Sequence, residues 1–221
     1  MFVGHFAVGL AAKRIAPAVS LGTLVLAAML ADLLWCVFMI AGIEHVEFRP
    51  AMGAANYFQA SDIAMSHSLL MNAVWASLLT AAYFLRRRHA KGAFILFAAA
   101  LSHWLLDWIA HRPDMPLAPA TQSRLGLGLW ASIPATLVVE GGFWLLAIIL
   151  YIRVARPKGR TGVFAFWIVV TILTLAWYGN ISGPPPRDPH TAPYFSLTFF
   201  SLAVAWAYWM NRLRPVATIS G

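Results

Sequence analysis

The sequence predicts an all-α integral membrane protein, a polytopic bundle of transmembrane helices that forms a single domain over residues 1–221. Hydrophobic residues make up 61% of the 221 residues and charged residues only 11%, whereas an ordinary soluble domain carries about 25% charged residues. The mean hydropathy is +0.71. A water-soluble protein of this size could not bury so much apolar surface, so the composition excludes a soluble enzyme and a disordered protein.

Long apolar runs indicate the individual membrane helices. Runs of about 18 or more apolar residues are typical of helices that cross a bilayer. Within lipid every backbone polar group must be satisfied inside its own segment, so we expect these runs to be helices. The sequence contains six long spans and one short N-terminal membrane helix: the spans lie at 18–42, 64–85, 93–111, 128–152, 162–180 and 193–210, and the short helix at 2–16.

Basic residues cluster in the turns on one side of this bundle. Twelve of the sixteen lie there: Lys13, Arg14, Arg86, Arg87, Arg88, Lys91, Arg153, Arg156, Lys158, Arg160, Arg212 and Arg214. The positive-inside rule places this side, and with it the C-terminus, in the cytoplasm. The opposite loops hold Arg49, Arg112, Arg124, Arg187, Glu44, Glu47, Asp62, Asp114 and Asp188. The formal charge of +8 is therefore a topology signal, and no nucleic-acid partner is predicted.

Ionisable residues interrupt the apolar spans. These residues are Asp32, Asp107, Glu140, His5, His67, His103 and His111. Such groups are costly in a bilayer, face the bundle interior and usually mark function. At about 1.5 Å per residue, the level roughly 18–20 Å above the basic turns is shared by His5, Asp32, His103 and Glu140. Asp107 lies about 24 Å, and His67 and His111 about 28–30 Å, above those turns. We expect one polar layer in the outer half of the membrane.

The polar layer has the composition of a metal site. His103 and Asp107 are four residues apart, which places both side chains on one face of a helix. Imidazole nitrogen together with carboxylate oxygen suits Zn²⁺, and less specifically Mn²⁺ or Fe²⁺. The pattern predicts a divalent-metal site, with Zn²⁺ favoured, whose ligands are His5, Asp32, His67, His103 and Asp107.

Each of these residues also has a structural interpretation. The His103–Asp107 pair is also typical of a hydrogen bond between helices, and Asp32 of a proton relay. The serines on both sides of His67 are typical of a helix start. Further structural interpretations are an interfacial position for His5 and His111 and a bond to a neighbouring helix for Glu140. Structural roles are favoured for His45, His89 and His190.

The order of the motifs is similar to that of a known membrane family. His5 is followed by Gly9-Leu10, Asp32 lies in the next helix, and the chain continues with Ser66-His67-Ser68, His103-x-x-x-Asp107, Pro113 and Pro116. This order resembles the LexA-binding, inner-membrane-associated hydrolases, also described as membrane-bound metal-dependent hydrolases. The resemblance implies a bacterial inner-membrane protein with a metal-dependent hydrolase site.

The same series bears a distant likeness to the ligands of zinc-dependent phospholipase C. The last element of that ligand series is His-x-x-x-Glu. In this chain Thr136 stands in the place of that histidine, and Glu140 is retained. The likeness implies a zinc site that cleaves a phosphoester, such as that of a lipid.

These observations predict a membrane-embedded, metal-dependent hydrolase whose site, mainly from residues 1–142, faces the periplasmic side. Its expected partners are the bilayer and a lipid or amphipathic phosphoester, cleaved by a metal-activated water in the outer half of the membrane. Asp32 or Glu140 is expected to be the general base. A rim that steers an anionic headgroup is expected from His111, Arg112 and Arg124.

A non-enzymatic carrier of metal ions or protons is the main alternative, with Asp32, Glu140 and the histidines as a transit path. The inner half of the spans is almost free of ionisable groups, which disfavours a path through the protein. A structural or regulatory membrane protein is a third interpretation, in which His103 and Asp107 only join helices.

Overall fold

Helices dominate the described part of the chain. The computed structural model describes residues 1–48, 58–183 and 190–216. Within these ranges the chain forms nine α-helices: α1 (Phe2–Ile15), α2 (Leu21–Ala28), α3 (Leu30–Ile40), α4 (Ala64–His67), α5 (Leu69–Arg87), α6 (Ala90–Ala110), α7 (Ile133–Val154), α8 (Gly159–Ser182) and α9 (Ala192–Leu213). The all-α prediction is confirmed.

Four helices, α5 to α8, are long and apolar enough to cross a membrane. A fifth candidate is the pair α2 and α3, which is bent by 58° where the sequence predicts one continuous helix over 18–42. The last helix, α9, has 22 residues, but its Tyr, Trp, Ser and Thr side chains lower its hydropathy. Among the described residues, therefore, four or five spans meet both criteria, where six long spans are predicted.

Two short antiparallel hairpins lie in loops between the helices. β1 (His45–Phe48) pairs with β2 (Phe58–Asp62), and β3 (Met115–Pro116) pairs with β4 (Arg124–Leu125). Neither hairpin is predicted, because strands this short carry no extended periodic signal. Arg49, Arg187 and Asp188, assigned above to loops, lie outside the described residues.

Serine side chains fix where three helices begin. Ser20, Ser68 and Ser132 each accept a hydrogen bond from the amide three residues later, at 3.1–3.3 Å. Each bond satisfies one of the amides that a first helical turn leaves without an intrahelical partner. Ser68 also divides the predicted 64–85 helix into α4 and α5, so that His67 ends a separate turn.

The first helix lies in the interior of the bundle, where α1 packs against α2, α6 and α7. Gly9 permits a close approach to α2, since a Cβ at this position would lie 2.8 Å from Val25 Cγ2. One apolar core cluster joins α1 to α7, α8 and α9 around Tyr151 and Phe166. A second joins α1, α2, α5 and α6 around Leu96. Both clusters hold the helices that carry the predicted site residues.

The outer surface of the long helices is apolar. Leu78 on α5 is 57% exposed, Leu145 on α7 is 59% exposed and Leu175 on α8 is 64% exposed. Soluble monomers rarely expose large continuous apolar surfaces, whereas a lipid-facing surface is apolar by necessity. This surface supports the predicted membrane location.

One end of the bundle, which we call the basic end, contains the C-termini of α1, α7 and α9 and the N-termini of α2 and α8. Lys13 in α1 donates three hydrogen bonds of 2.6–2.9 Å, to two backbone carbonyls and to Asn211 of α9. Arg214 donates to the carbonyls of Ala155 and Gly162. These bonds tie helix ends together. The opposite end, where α1 begins and α6 ends, is called the site end below.

Candidate metal site

Four helices bring the five predicted metal ligands together at the site end. They form two groups that share one histidine: His5, His103 and Asp107, and Asp32, His67 and His103. Within each group, one possible ligand atom from every residue lies within 4.8 Å of the others. Residues that are far apart in sequence thus meet in one cluster.

The distances within the cluster suit coordination of one small cation. His103 Nε2 lies 3.2 Å from Asp107 Oδ2 and 3.6 Å from Asp32 Oδ1. His67 Nε2 lies 3.6 Å from the same Asp32 oxygen, and His5 Nε2 lies 3.0 Å from Asp107 Oδ1. Tetrahedral zinc bonds of about 2.0–2.1 Å would separate ligand atoms by about 3.3–3.4 Å. The donor set and its spacing therefore fit Zn²⁺.

A break between α2 and α3 positions His103. The break frees the Ala28 carbonyl, which lies 2.8 Å from His103 Nδ1 and can accept its proton. A proton on Nδ1 leaves a lone pair on Nε2, which is buried and makes no hydrogen bond with any described residue. Asp32 lies in the first turn of α3, just after the break. Since the chain reads Ala28-Met29-Leu30, with neither glycine nor proline, the sequence holds no signal for this break.

His67 is positioned by a side-chain relay that the sequence analysis above leaves out. His67 Nδ1 lies 2.7 Å from Ser66 Oγ, and that hydroxyl donates to Glu44 Oε2 at 2.6 Å. Burial raises the pKa of the Glu44 carboxyl, while the hydrogen bonds from Ser66 lower it. The sequence places Glu44 only in a loop, because its contact with α4 depends on the tertiary fold.

His5 reaches the cluster from the first turns of α1. Its ring stacks on that of His103, with the centroids 3.6 Å apart and the planes 6° from parallel. The amino nitrogen of Met1 contacts Asp107 Oδ1 and lies 3.1 Å from His5 Nε2. Asp107 Oδ1 thus lies close to both the Met1 and the His5 nitrogen.

Glu140 does not join the cluster. It is fully buried on α7, and its Oε1 accepts a hydrogen bond from the Gly4 amide at 3.2 Å. A carboxylate in this position stabilises the N-terminus of α1, where amides lack intrahelical partners. The bond to Gly4 matches the structural interpretation of Glu140. Its Oε2 has no hydrogen-bond partner among the described residues, and the general-base role stays a prediction.

A cavity of about 160 Å³ adjoins the cluster. Its lining combines four residues of the cluster with aromatic and neutral polar side chains, including His5, Asp32, His67, Asp107, Trp35, Trp130, Phe200, Asn180 and Ser196. Asn180 and Ser196 come from α8 and α9, so the cavity also includes residues beyond the 1–142 region that is predicted to supply most of the site. No sequence signal marks these two residues, because neutral polar side chains near helix ends are common.

The predicted rim is only partly at the cavity. His111 lines it, and His111 Nδ1 lies 3.0 Å from Asp114 Oδ1. Arg112 and Arg124 are not among the lining residues. Arg112 Nε lies 3.4 Å from Asp114 Oδ2, and Arg124 donates to carbonyls of its own loop. A headgroup in the cavity would meet His111 rather than the two arginines.

The chain matches the YdjM inner membrane protein family over residues 1–182. It belongs to this family. Membership of the YdjM inner membrane protein family supports an integral inner-membrane location, and the match includes all five clustered residues. The hydrolase activity and the likeness to phospholipase C stay predictions. Comparisons with curated proteins and with solved structures give no significant match.

Proposed function

We propose that this protein is a membrane-embedded, metal-dependent hydrolase. The observation that carries the proposal is the cluster of three histidines and two aspartates around His103 Nε2. A buried polar atom without a hydrogen-bond partner needs an explanation, and a divalent cation held by His103 with Asp32 and Asp107 would supply one. Histidine nitrogen with carboxylate oxygen favours Zn²⁺.

The side chains have distinct roles in this proposal. When bound, Zn²⁺ supplies a Lewis acid and lowers the pKa of water at the site. Asp107 is buried, and its oxygens face His5 and His103, so its role is to hold the cation. The Asp32 side chain is 19% exposed and lines the cavity. Asp32 is thus placed to take a proton from water in the cavity while also facing the cation.

The cavity supports an amphipathic phosphoester, such as a lipid, as the substrate. Trp35, Trp130 and Phe200 offer an apolar wall, while Asn180 and Ser196 offer neutral hydrogen-bond donors. An apolar pocket with few convergent polar groups is typical of a small-molecule site. The phosphate would face the cation, and the apolar portion would contact the aromatic wall.

The orientation of the site belongs to the same proposal. Counting α2–α3, α4–α5, α6, α7, α8 and α9 as spans gives six, and the positive-inside rule then places the basic end and the C-terminus in the cytoplasm. The site faces the periplasm. The chain has one cysteine, Cys36, which is buried. We therefore expect Ser123→Cys to react with an impermeant maleimide in intact cells, and Arg160→Cys to react only after lysis.

Metal content and hydrolysis test the activity. The full chain, purified in detergent and equilibrated with Zn²⁺, is expected to retain about one zinc after gel filtration and to hydrolyse bis(p-nitrophenyl) phosphate or a fluorogenic phospholipid. Asp107→Asn should lose both properties. His89→Ala, which removes an imidazole at the basic end, is the matched control. A wild-type protein that retains no zinc would rule out the proposal.

A carrier is disfavoured by the packing between the two ends. The core there is the apolar cluster that includes Leu24, Leu96 and Ala100. Flux of Zn²⁺ or protons into liposomes, abolished by Asp32→Asn, would replace the hydrolase proposal with a carrier.

A further inference from the structure

We propose that Glu44 is a positioning residue of the metal site. Through the Ser66 hydroxyl it holds the His67 ring in the tautomer whose Nε2 is free to bind a cation. This inference rests on the proposed metal site. Glu44 is not itself in the ligand cluster, and it lies 22 residues before Ser66 in the chain.

The end of α3 delivers Glu44 to this position. The Ile43 amide donates to the Phe38 carbonyl at 2.8 Å, and the Gly42 amide donates to the Met39 carbonyl at 3.1 Å. These two bonds are those of a Schellman motif. Gly42 has a φ of +69°, which glycine adopts without a steric penalty. Glu44 follows directly and is only 1% exposed, so the turn directs it into the protein.

The hydrogen bonds of the relay have a defined direction. Both oxygens of Glu44 accept from Ser66, in the arrangement of an ionised carboxylate. The Ser66 amide donates to Oε1 at 2.7 Å and the Ser66 hydroxyl donates to Oε2 at 2.6 Å. The hydroxyl has a single proton. Its oxygen must therefore accept from His67 Nδ1, 2.7 Å away. His67 then carries its proton on Nδ1, and its Nε2 keeps a lone pair toward Asp32 Oδ1 at 3.6 Å.

This tautomer is the one that a metal ligand requires. A ligating imidazole usually donates from its second nitrogen to an outer acceptor, and loss of such a partner typically costs about 10–100-fold in metal affinity. The Ala28 carbonyl serves His103 in the same way. A backbone carbonyl thus fixes the tautomer of His103, and a side-chain relay fixes the tautomer of His67. Only the relay can be changed by substitution.

Glu44→Gln tests the direction of the relay with little change in shape. If the Gln oxygen accepts from the Ser66 amide, its NH₂ group faces the Ser66 hydroxyl. The hydroxyl must then donate to His67 Nδ1, which moves the ring proton to Nε2 and blocks metal binding. We expect zinc affinity of the full chain in detergent, measured by competition with a chromophoric chelator, to fall about 10–100-fold.

Two further variants test whether a loss of zinc affinity in Glu44→Gln acts through the relay or results from removing any carboxylate charge. Asp62→Asn makes the same carboxylate-to-amide change at an exposed position on β2, and we expect it to leave zinc affinity unchanged. In a Ser66→Ala background the hydroxyl is gone, so Glu44→Gln should cause no further loss. Independent, additive losses would contradict a relay through Ser66.

The tautomer supplies a readout that a purely structural role would not change. In metal-free protein with ¹⁵N-labelled histidine, at a pH well above the ordinary histidine pKa of about 6.5, His67 should carry its proton on Nδ1. The resonance is assigned by its absence in His67→Ala. A wild-type His67 protonated on Nε2 would overturn the inference without any Glu44 variant, as would unchanged zinc affinity in folded Glu44→Gln. Those results leave the proposed function intact, whereas wild-type protein that binds no zinc overturns both.

Discussion

Lys13 at the basic end and His103 at the site end are both buried, but they differ in how their polar atoms are satisfied. At the basic end Lys13 is 4% exposed, and it donates to two carbonyls and to Asn211, which uses all of its protons. At the site end His103 is fully buried, and its Nε2 has no hydrogen-bond partner among the described residues. A fully bonded buried group contributes to stability, whereas an unsatisfied one beside carboxylates is available to a ligand. The comparison separates a lysine that fastens helices at the basic end from a histidine at the centre of the proposed cation site.

The largest expected effect is on metal affinity at the site end. His103 belongs to both ligand groups, so His103→Ala removes the atom that connects them. Since loss of an outer partner alone costs about 10–100-fold, loss of this ligand should cost more. Chelator competition with Zn²⁺ measures the effect, with His89→Ala as control. Equal zinc affinity in His103→Ala and His89→Ala would show that the cation does not bind at the site end.

At the basic end we expect loss of stability without loss of function. Lys13→Met leaves the Pro17 and Val19 carbonyls without the donor Lys13, while Asn211 Oδ1 still accepts from the Leu21 amide. Each unsatisfied buried group costs about 1–3 kcal/mol. Unfolding in mixed micelles should therefore begin at lower denaturant, while zinc affinity of the folded protein stays at the wild-type value. Arg14→Met, at the exposed neighbouring position, should unfold like the wild type. A Lys13→Met protein that is stable but binds zinc weakly would contradict the assignment.

Zinc itself should stabilise the fold through the site end. Free Zn²⁺ at 100 times its Kd is expected to add about 2.7 kcal/mol to the free energy of unfolding. The measurement is thermal unfolding with and without Zn²⁺, and EDTA should reverse the shift. We expect no shift in His103→Ala and a normal shift in Lys13→Met. A shift that persists without His103 would place the binding elsewhere.

The smallest expected effect concerns the junction of α4 and α5. Ser68→Ala removes a helix cap, which costs about 1 kcal/mol. Because His67 precedes this cap directly, a small loss of zinc affinity should accompany the lower stability. Ser77→Ala is the control on the same helix, since Ser77 is exposed and bonds only a carbonyl of its own helix. Identical behaviour of the two variants would show that the cap does not support the site.

Much of the cluster can be predicted from heights along the helices. The spacing of His103 and Asp107 places them on one face, and counting from the basic turns predicts that His5 and Asp32 reach the same level. Glu140 shows the limit of that reasoning. Its predicted height is the same, but it lies on α7 and bonds the Gly4 amide. A count of residues does not give the direction that a side chain faces around the bundle.

Glu44 shows a second limit of predicting the site from the sequence. Gly42 after an apolar run is a recognisable helix-end signal, and Ser66 lies beside a predicted ligand. Their meeting depends on how the turn after α3 packs against α4. That contact joins residues 22 positions apart, so no local pattern contains it.

The sequence alone determines the helical membrane bundle, the separation of basic and polar ends and the residue types of the cluster. Hydropathy and charge determine these properties because each segment meets lipid or water on its own. The tertiary structure decides which faces turn inward and where helices break. The break after Ala28 is the clearest case, since its carbonyl lies 2.8 Å from a histidine 75 residues away, and only the packed fold brings that partner within reach.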